Sequence, residues 1–268
     1  MVHRITSAAN PLVKSLKSLH TKKGRAETGL FLAEGARLAL EAADLGAWPD
    51  VMAYAPSALD RPQVRALIAR AESSGVRVIE TGEGVLGQIT KRDNPQTVIG
   101  AYKQRLTALG ALEGQTLVAL DGVKDPGNLG TILRTADSTG AGGVILVGEC
   151  CDPFSIEAVR ASMGSLFAMP IARATLGELA AFKQERGAQL VGASLTGRSL
   201  EDAWTPSARA VLFMGNEQSG LSAEMEAACD VLVKLPMRGR ADSLNLGVAT
   251  GVMLYDLWRR RGYDGARA

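Results

Sequence analysis

Three segments of this chain concentrate the side chains that could do chemistry, and all three have the same construction: an apolar run, a turn rich in glycine and polar residues, then a helical pattern. The first is LDGVKDPGNLGTILRTADSTGAGG, residues 120–143. A helix is expected to open near Asn128, because Leu129, Ile132, Leu133 and Ala136 fall at i, i+3, i+4 and i+7 and form one buried stripe. At about 100° per residue Arg134 lies far round the helix from that stripe and faces outward. A guanidinium there, beside the C-terminal edge of a parallel sheet, suits a phosphate, since ligands of open α/β sheets bind at that edge. A plain surface arginine would leave the same trace.

The second segment, VLFMGNEQSGLSAE (211–224), delivers Gly215 from a buried strand into a loop of Asn216, Glu217, Gln218, Ser219 and Gly220. A glycine where a strand ends permits close approach of another backbone or a flat ligand. Ser222 is placed to cap the helix that follows. The third segment, VKLPMRGRADSLNLGVATGVMLYDLW (233–258), runs from a strand ending at Pro236 through a basic loop with Arg238 and Arg240 into a helix that Asp242 or Ser243 could cap. Gly247 and Gly251 sit four apart on that helix, and tight packing against a neighbouring helix is the simplest reason to accept their propensity cost.

Other chemistries find no footing. His3 and His20 are the only histidines, both near the N-terminus, and no His-Glu-x-x-His or Cys-x-x-Cys pattern occurs, so neither zinc nor a metal of any other kind is expected, nor a histidine-activated nucleophile. Cys150 and Cys151 are adjacent and Cys229 stands alone, which suggests no disulfide framework and fits a reducing, cytoplasmic setting. GAGGVI fails the G-x-G-x-x-G pattern at its last position, and no G-x-x-x-x-G-K-[ST] is present. The longest stretch without Asp, Glu, Lys or Arg, Ser243 to Tyr255, is thirteen residues, short of the 18 or so that a membrane helix needs. The first residues lack the apolar core of a secretory signal, so neither export nor a membrane partner is expected.

These segments need a scaffold, and 268 residues exceed one typical domain. Before residue 103, apolar runs such as LFLAEG, VMAYA, VRVIET and TVIGAY alternate with helical patterns, which reads as a layered α/β domain over 1–103. Residues 104–114 carry no clear strand and are expected to be a linker. From 115 to 268 the alternation restarts. Runs such as VILV and VLFM do not alternate in polarity, as expected for strands buried on both faces of a mainly parallel sheet, and a single helix is expected near 155–167. Net charge is +2, yet the first thirty residues hold six Lys and Arg against one Glu. That basic arm, with Lys14, Lys17, Lys22, Lys23 and Arg25, is either a handle for the phosphates of RNA or a solvated lysine-rich helix.

Taken together and in this order, the three segments resemble the signature motifs of the SpoU, or TrmH-like, family of S-adenosylmethionine-dependent RNA ribose 2′-O-methyltransferases. The resemblance rests on Asn128, Gly130, Arg134 and Thr135, then Gly215, Glu217 and Gly220, then Leu235, Pro236, Ser243, Leu244 and Asn245. The stretch ITSAANPLVKSLKSL with FLAEGARLALEA is similar to the family's L30e-like RNA-recognition domain, so the likeness spans nearly the whole chain. It implies an α/β fold of an L30e-like domain followed by a SPOUT-type domain with a deep trefoil knot, and a homodimer, with which the apolar face of the last helix (Val248, Val252, Tyr255) and its glycines are compatible. A general prior against knots would have given a plain doubly wound sheet. It further implies S-adenosylmethionine cradled by Gly215, Leu235 and Leu244, with Leu195 a neighbour. Arg134 would be the catalytic residue, assisted by Asn128, Glu217, Ser243 and Asn245. The accessory domain leans the substrate toward ribosomal RNA; the alternatives are transfer RNA and a non-catalytic RNA-binding role in ribosome assembly.

Overall fold

The structure, a computed structural model, describes residues 3–199 and 204–266. Two compact units emerge: Met1–Gln104 with Asp152–Phe167, and Arg105–Cys151 with Ala168–Ala268. In chain order the first half carries β1 (His3–Ile5), α1 (Pro11–Ser18), α2 (Lys22–Thr28), β2 (Leu30–Glu34), α3 (Ala36–Asp44), β3 (Val51–Tyr54), α4 (Pro62–Ser73), β4 (Arg77–Thr81), α5 (Glu83–Thr90) and β5 (Val98–Lys103). Its five-stranded sheet has the order β1-β4-β3-β5-β2, with β1, β4 and β3 parallel and β5 antiparallel to both of its neighbours. Both faces are buried. Along β3, Val51 and Ala53 join a core with Leu32, Ile79, Leu86 and Ile99, while Met52 and Tyr54 join another with Leu67, Ile68 and Val78. The period-2 alternation of a strand thus operates here between two apolar layers, which is why the sequence shows unbroken apolar runs.

The N-terminal basic stretch is folded. Asn10 caps α1, with Pro11 at the first helical position, and Val13, Leu16 and Leu19 reach the core. The segment 152–167 packs on this unit too. Asp152 receives the Arg25 guanidinium at 2.7 Å, Arg160 donates to both oxygens of Glu34 at 2.8 Å, and Phe154 and Phe167 join Phe31 and Tyr102 in a ring cluster. In place of the single helix expected near 155–167 there are two short ones, α7 (Ile156–Ala161) and α8 (Ser165–Ala168). Met163 and Gly164 between them take positive φ, which a continuous helix cannot accommodate.

The second half adds β6 (Thr116–Asp121), α6 (Pro126–Ser138), β7 (Val144–Val147), β8 (Ile171–Ala174), α9 (Leu176–Arg186), β9 (Gln189–Ser199), β10 (Ala210–Met214), α10 (Ala223–Ala228), β11 (Val231–Lys234) and α11 (Leu246–Arg260). All six strands are parallel, in the order β11-β9-β10-β6-β7-β8. From β6 the chain moves outward through β7 and β8, then returns to the other side of β6 with β9 to β11. The order therefore reverses between β6 and β10, and the crevice at their C-terminal ends is where such sheets bind ligands. Residues 105–114, expected to be a linker, pack within this unit: Thr107 N–H donates to Ile171 O at 2.7 Å and Leu112 joins the core. A Cβ at Gly142 would lie 1.6 Å from Glu113 O, so glycine is required where that segment crosses. Among the described residues no helix is long and apolar enough to cross a membrane.

Candidate active site

The first segment leaves β6 at Asp121, turns through Gly122 at φ +56°, and enters α6. The helix begins two residues before Asn128, because Asp125 is its cap: its carboxylate accepts the Asn128 N–H at 2.6 Å and Pro126 occupies the first position. An Asp-Pro pair is the sequence signal for such a start. Leu129, Ile132, Leu133 and Ala136 are fully buried as their spacing predicts, and Arg134 is exposed. Among the described residues its guanidinium has neither a hydrogen bond nor an ion pair.

The second segment closes on itself. Asn216 N–H donates to Gly220 O and Gly220 N–H to Asn216 O, at 3.1 and 2.9 Å. A Cβ on Gly215 would stand 2.1 Å from the Gly220 carbonyl carbon, so a glycine is required for backbone approach within the loop itself. The Asn216 side chain ties this loop to the first segment by donating to Gly122 O at 2.8 Å, and its oxygen accepts from Gln218 N–H at 2.9 Å. Ser222 caps α10 as expected. Asn216 is thus the residue that seats the loop.

The third segment reaches α11 through residues 235–245, and its cap differs from expectation. Neither Asp242 nor Ser243 fills that role; Asn245 does, its oxygen accepting the Val248 N–H at 3.2 Å. The amide nitrogen of Asn245 donates at the same time to Asn128 Oδ1, at 2.8 Å. Asn128 Nδ2 in turn donates to Glu217, whose carboxylate also accepts the backbone N–H groups of Lys124 and Asp125, each at 3.4 Å. One hydrogen-bonded chain, Asn245 to Asn128 to Glu217, thereby joins all three segments at the crevice. Below it α11 lies close on α6: Cβ atoms at Gly247 and Gly251 would stand 3.1 Å from Thr131 Cγ2 and 3.5 Å from Thr135 Cγ2, which is the packing reason for both glycines.

The remaining expected residues lie outside that chain of bonds. Ser243 is exposed, Leu235 is half-buried, and Leu244 is 40% exposed. Leu195 is 69% exposed within β9, which runs from Gln189 to Ser199. No backbone-to-backbone hydrogen bond is formed by residues 235–244 among the described residues, so their N–H and C=O groups are open beside the exposed apolar side chains of Met237 and Leu244. Burial raises the Asp121 carboxyl above its ordinary range, with Lys124 opposing, and pushes the Cys151 thiol up to about 12, reinforced by Cys150, Glu217 and Asp125. A thiol so raised is protonated at neutral pH and no nucleophile. Among the described residues no cluster of three His, Cys, Asp or Glu could hold a metal.

Of the basic residues expected to meet RNA, Lys14, Lys22 and Lys23 are exposed, Lys23 pairing with Glu27 at 3.8 Å, and Lys17 reaches Gln88 at 3.5 Å. Arg25 corrects the expectation. It is 5% exposed and committed to Asp152 and to Leu19 O, so it holds the first unit together and presents no free guanidinium.

Comparison with known proteins agrees with this geometry. Residues 115–255 match the model of the SpoU rRNA Methylase family, and residues 10–100 that of the MRM3-like substrate binding domain. The chain is 30% identical over 254 residues to the Bacillus subtilis (strain 168) 23S rRNA (guanosine(2553)-2′-O)-methyltransferase RlmP, covering 95% of this chain and 98% of that one. It is 34% identical over 200 residues to the 23S rRNA (adenosine(1067)-2′-O)-methyltransferase of Streptomyces laurentii, covering 72% and 74%. Among solved structures, the AdoMet-bound rRNA methyltransferase from Sinorhizobium meliloti superposes with a TM-score of 0.89 at 46% identity, over 96% of this chain and 98% of that one.

Proposed function

The chain belongs to the SpoU rRNA methylase family, and from that premise we propose that it transfers a methyl group from S-adenosylmethionine to a ribose 2′-hydroxyl of ribosomal RNA. The observation that carries the reading is the bond chain from Asn245 through Asn128 to Glu217, which fixes three sequence-distant loops at the switch point of a parallel sheet. The chemistry of the third loop suits the cofactor: backbone groups free of internal partners can hold an adenine by its edge, and Leu235, Leu244 and Met237 offer apolar surface to its face. Gly215 lets the second loop close tightly beside them, and Leu195 extends the apolar wall. The cofactor supplies the methyl group on a sulfonium leaving group. What remains for the protein is alignment of the 2′-oxygen and management of one proton.

In this reading Arg134 acts on the RNA. Arginine keeps its charge across the working pH range, so it clamps the phosphate next to the target ribose and stabilises negative charge growing on the 2′-oxygen. Its guanidinium has no partner among the described residues, which leaves it available. Asn128, Glu217 and Asn245 orient the loops, and Ser243, exposed just before the helix cap, contacts substrate. Lys14, Lys17, Lys22 and Lys23 supply sequence-independent attraction for the RNA backbone.

The same proposal takes the protein to be cytoplasmic and a homodimer, knotted where the chain around the second and third segments threads itself. Val248, Val252 and Tyr255, at i, i+4 and i+7 on the outer face of α11 and each close to half exposed, supply an apolar stripe for a second copy. Ribosomal RNA is preferred over transfer RNA because RlmP, which the chain matches over nearly its whole length, is named for 23S rRNA. The test is transfer of radiolabelled methyl from S-adenosylmethionine to total rRNA and, separately, total tRNA, with nucleoside analysis. Label in a 2′-O-methylnucleoside of rRNA supports the reading; cofactor binding with no transfer to either pool counts against it.

A further inference from the structure

Arg238 and Arg240 stand outside every role assigned so far. They flank Gly239 in the middle of the third loop, where residues 236–245 form an unbroken run of ten exposed positions. Most arginines of the described structure are tied down: Arg37 to Glu41, Arg70 to Asp44, Arg160 to Glu34, Arg260 to Asp256. Neither Arg238 nor Arg240 has a hydrogen bond or ion pair among the described residues, and the loop's one carboxylate, Asp242, is not bonded to them. A Cβ on Gly239 would meet nothing within 4 Å, so open space surrounds the turn that separates the two guanidiniums. The loop is anchored at both ends nonetheless, by β11 on one side and on the other by Asn245, which is bonded to Asn128 of α6. The first turn of α11, into which the loop leads, carries no acidic residue to offset the positive end of the helix dipole.

Two unpaired guanidiniums on an open loop, anchored to the same asparagine that organises the crevice, have the chemistry of a phosphate clamp. We propose that Arg238 and Arg240 grip the RNA backbone beside the methylated nucleotide, each neutralising one phosphate, and so fix which stretch of single strand lies over the crevice. This rests on the methyl-transfer reading above and extends it to a second contact with the RNA, independent of Arg134 and of the lysines of the first unit.

Counterion release makes the clamp measurable without turnover. Each phosphate neutralised on a single strand adds about −0.7 to the slope of log affinity against log salt concentration. Binding of a short fluorescein-labelled single-stranded RNA by the full-length protein is therefore followed across potassium chloride concentrations for wild type, R238Q, R240Q and R209Q. Arg209 is an exposed arginine at the opposite, N-terminal end of β10 and controls for loss of one charge. The clamp predicts a slope shallower by about 0.7 for R238Q and again for R240Q, and unchanged for R209Q. It also predicts that both loop variants keep wild-type affinity for S-adenosylmethionine by calorimetry, which shows them folded. Equal slopes for all four proteins would overturn it, as would a loss of cofactor affinity without a change in slope, which would make the arginines cofactor ligands. Wild-type protein that binds the RNA but methylates neither rRNA nor tRNA would defeat the reading of the site, while the slopes would still decide the clamp.

Discussion

Asn128 donates and accepts at once, and no other side-chain type of its length does both. Replacing it by alanine takes the middle from the bond chain, leaving the Asn245 amide and the Glu217 carboxylate each short of one partner. Because Asn245 and Glu217 are exposed and Asn128 is only half-buried, the cost in stability is small, about 1 kcal/mol or less. Methyl transfer by Asn128→Ala is expected to fall at least ten-fold with a Tm close to wild type, checked by steady-state kinetics beside a thermal melt. Arg25 is the opposite case. Its removal leaves the half-buried Asp152 carboxylate without its ion pair, so Arg25→Ala is expected to destabilise by about 1–3 kcal/mol, read by denaturant unfolding, whereas Lys14→Ala leaves stability unmoved. A charge count treats every arginine as solvated. That is why the sequence groups Arg25 with the surface lysines and why its ion pair, with a residue 127 positions away, could not be read there.

Each loop of the site depends on an element that ends at the right place. Gly215 lets the second loop close, and Gly215→Ala would bring a Cβ against the Gly220 backbone, forcing the loop open and turning Glu217 away from Asn128. The expected outcome is a Tm loss equivalent to about 1–3 kcal/mol together with weakened cofactor binding, measured by calorimetry. The cap of α11 permits a cleaner separation. Asn245→Asp keeps an acceptor for Val248 N–H but loses the donor to Asn128, so helix stability should persist while transfer falls; Asn245→Ala should lose about 1 kcal/mol of stability as well.

Much at this scale was legible in the chain. The stripe from Leu129 to Ala136 gave α6 its face and so the direction of Arg134, and unbroken apolar runs gave the parallel sheet. The exact cap was not legible, because Asp242, Ser243 and Asn245 are all good capping residues and only the partner on α6 chooses among them. The allegiance of residues 152–167 was hidden for a related reason. A helical pattern near 155–167 does not say which unit Phe154, Ile156 and Phe167 pack against, and here they join the core and ring cluster of the first unit.

At the scale of the whole molecule, folding couples to pH through the first unit. Burial lowers the pKa of His20 from 6.5, helped by Lys91 and Arg160 against the opposing pull of its bond to Ile89 O and of Glu34. The folded protein thus binds the proton less readily than the unfolded chain. The sign follows: the contribution is complete above pH 6.5 and is lost as pH falls from there through the lower folded-state value. Denaturant unfolding from pH 7.5 downward should show the wild type losing stability below 6.5, with a flatter profile for His20→Gln. The two units also divide the labour in the proposed function, the first contributing basic surface and the second the crevice with its three joined loops.

The most direct test of that account sets wild-type protein beside Arg134→Ala in an assay of methyl transfer from radiolabelled S-adenosylmethionine to unmodified rRNA, with nucleoside analysis of the product and cofactor binding measured in parallel. The account predicts a 2′-O-methylnucleoside from wild type, and from Arg134→Ala a rate at least a hundred-fold lower, about 2.7 kcal/mol of transition-state stabilisation, with cofactor affinity retained. A folded Arg134→Ala protein that binds cofactor and transfers methyl at the wild-type rate would contradict it.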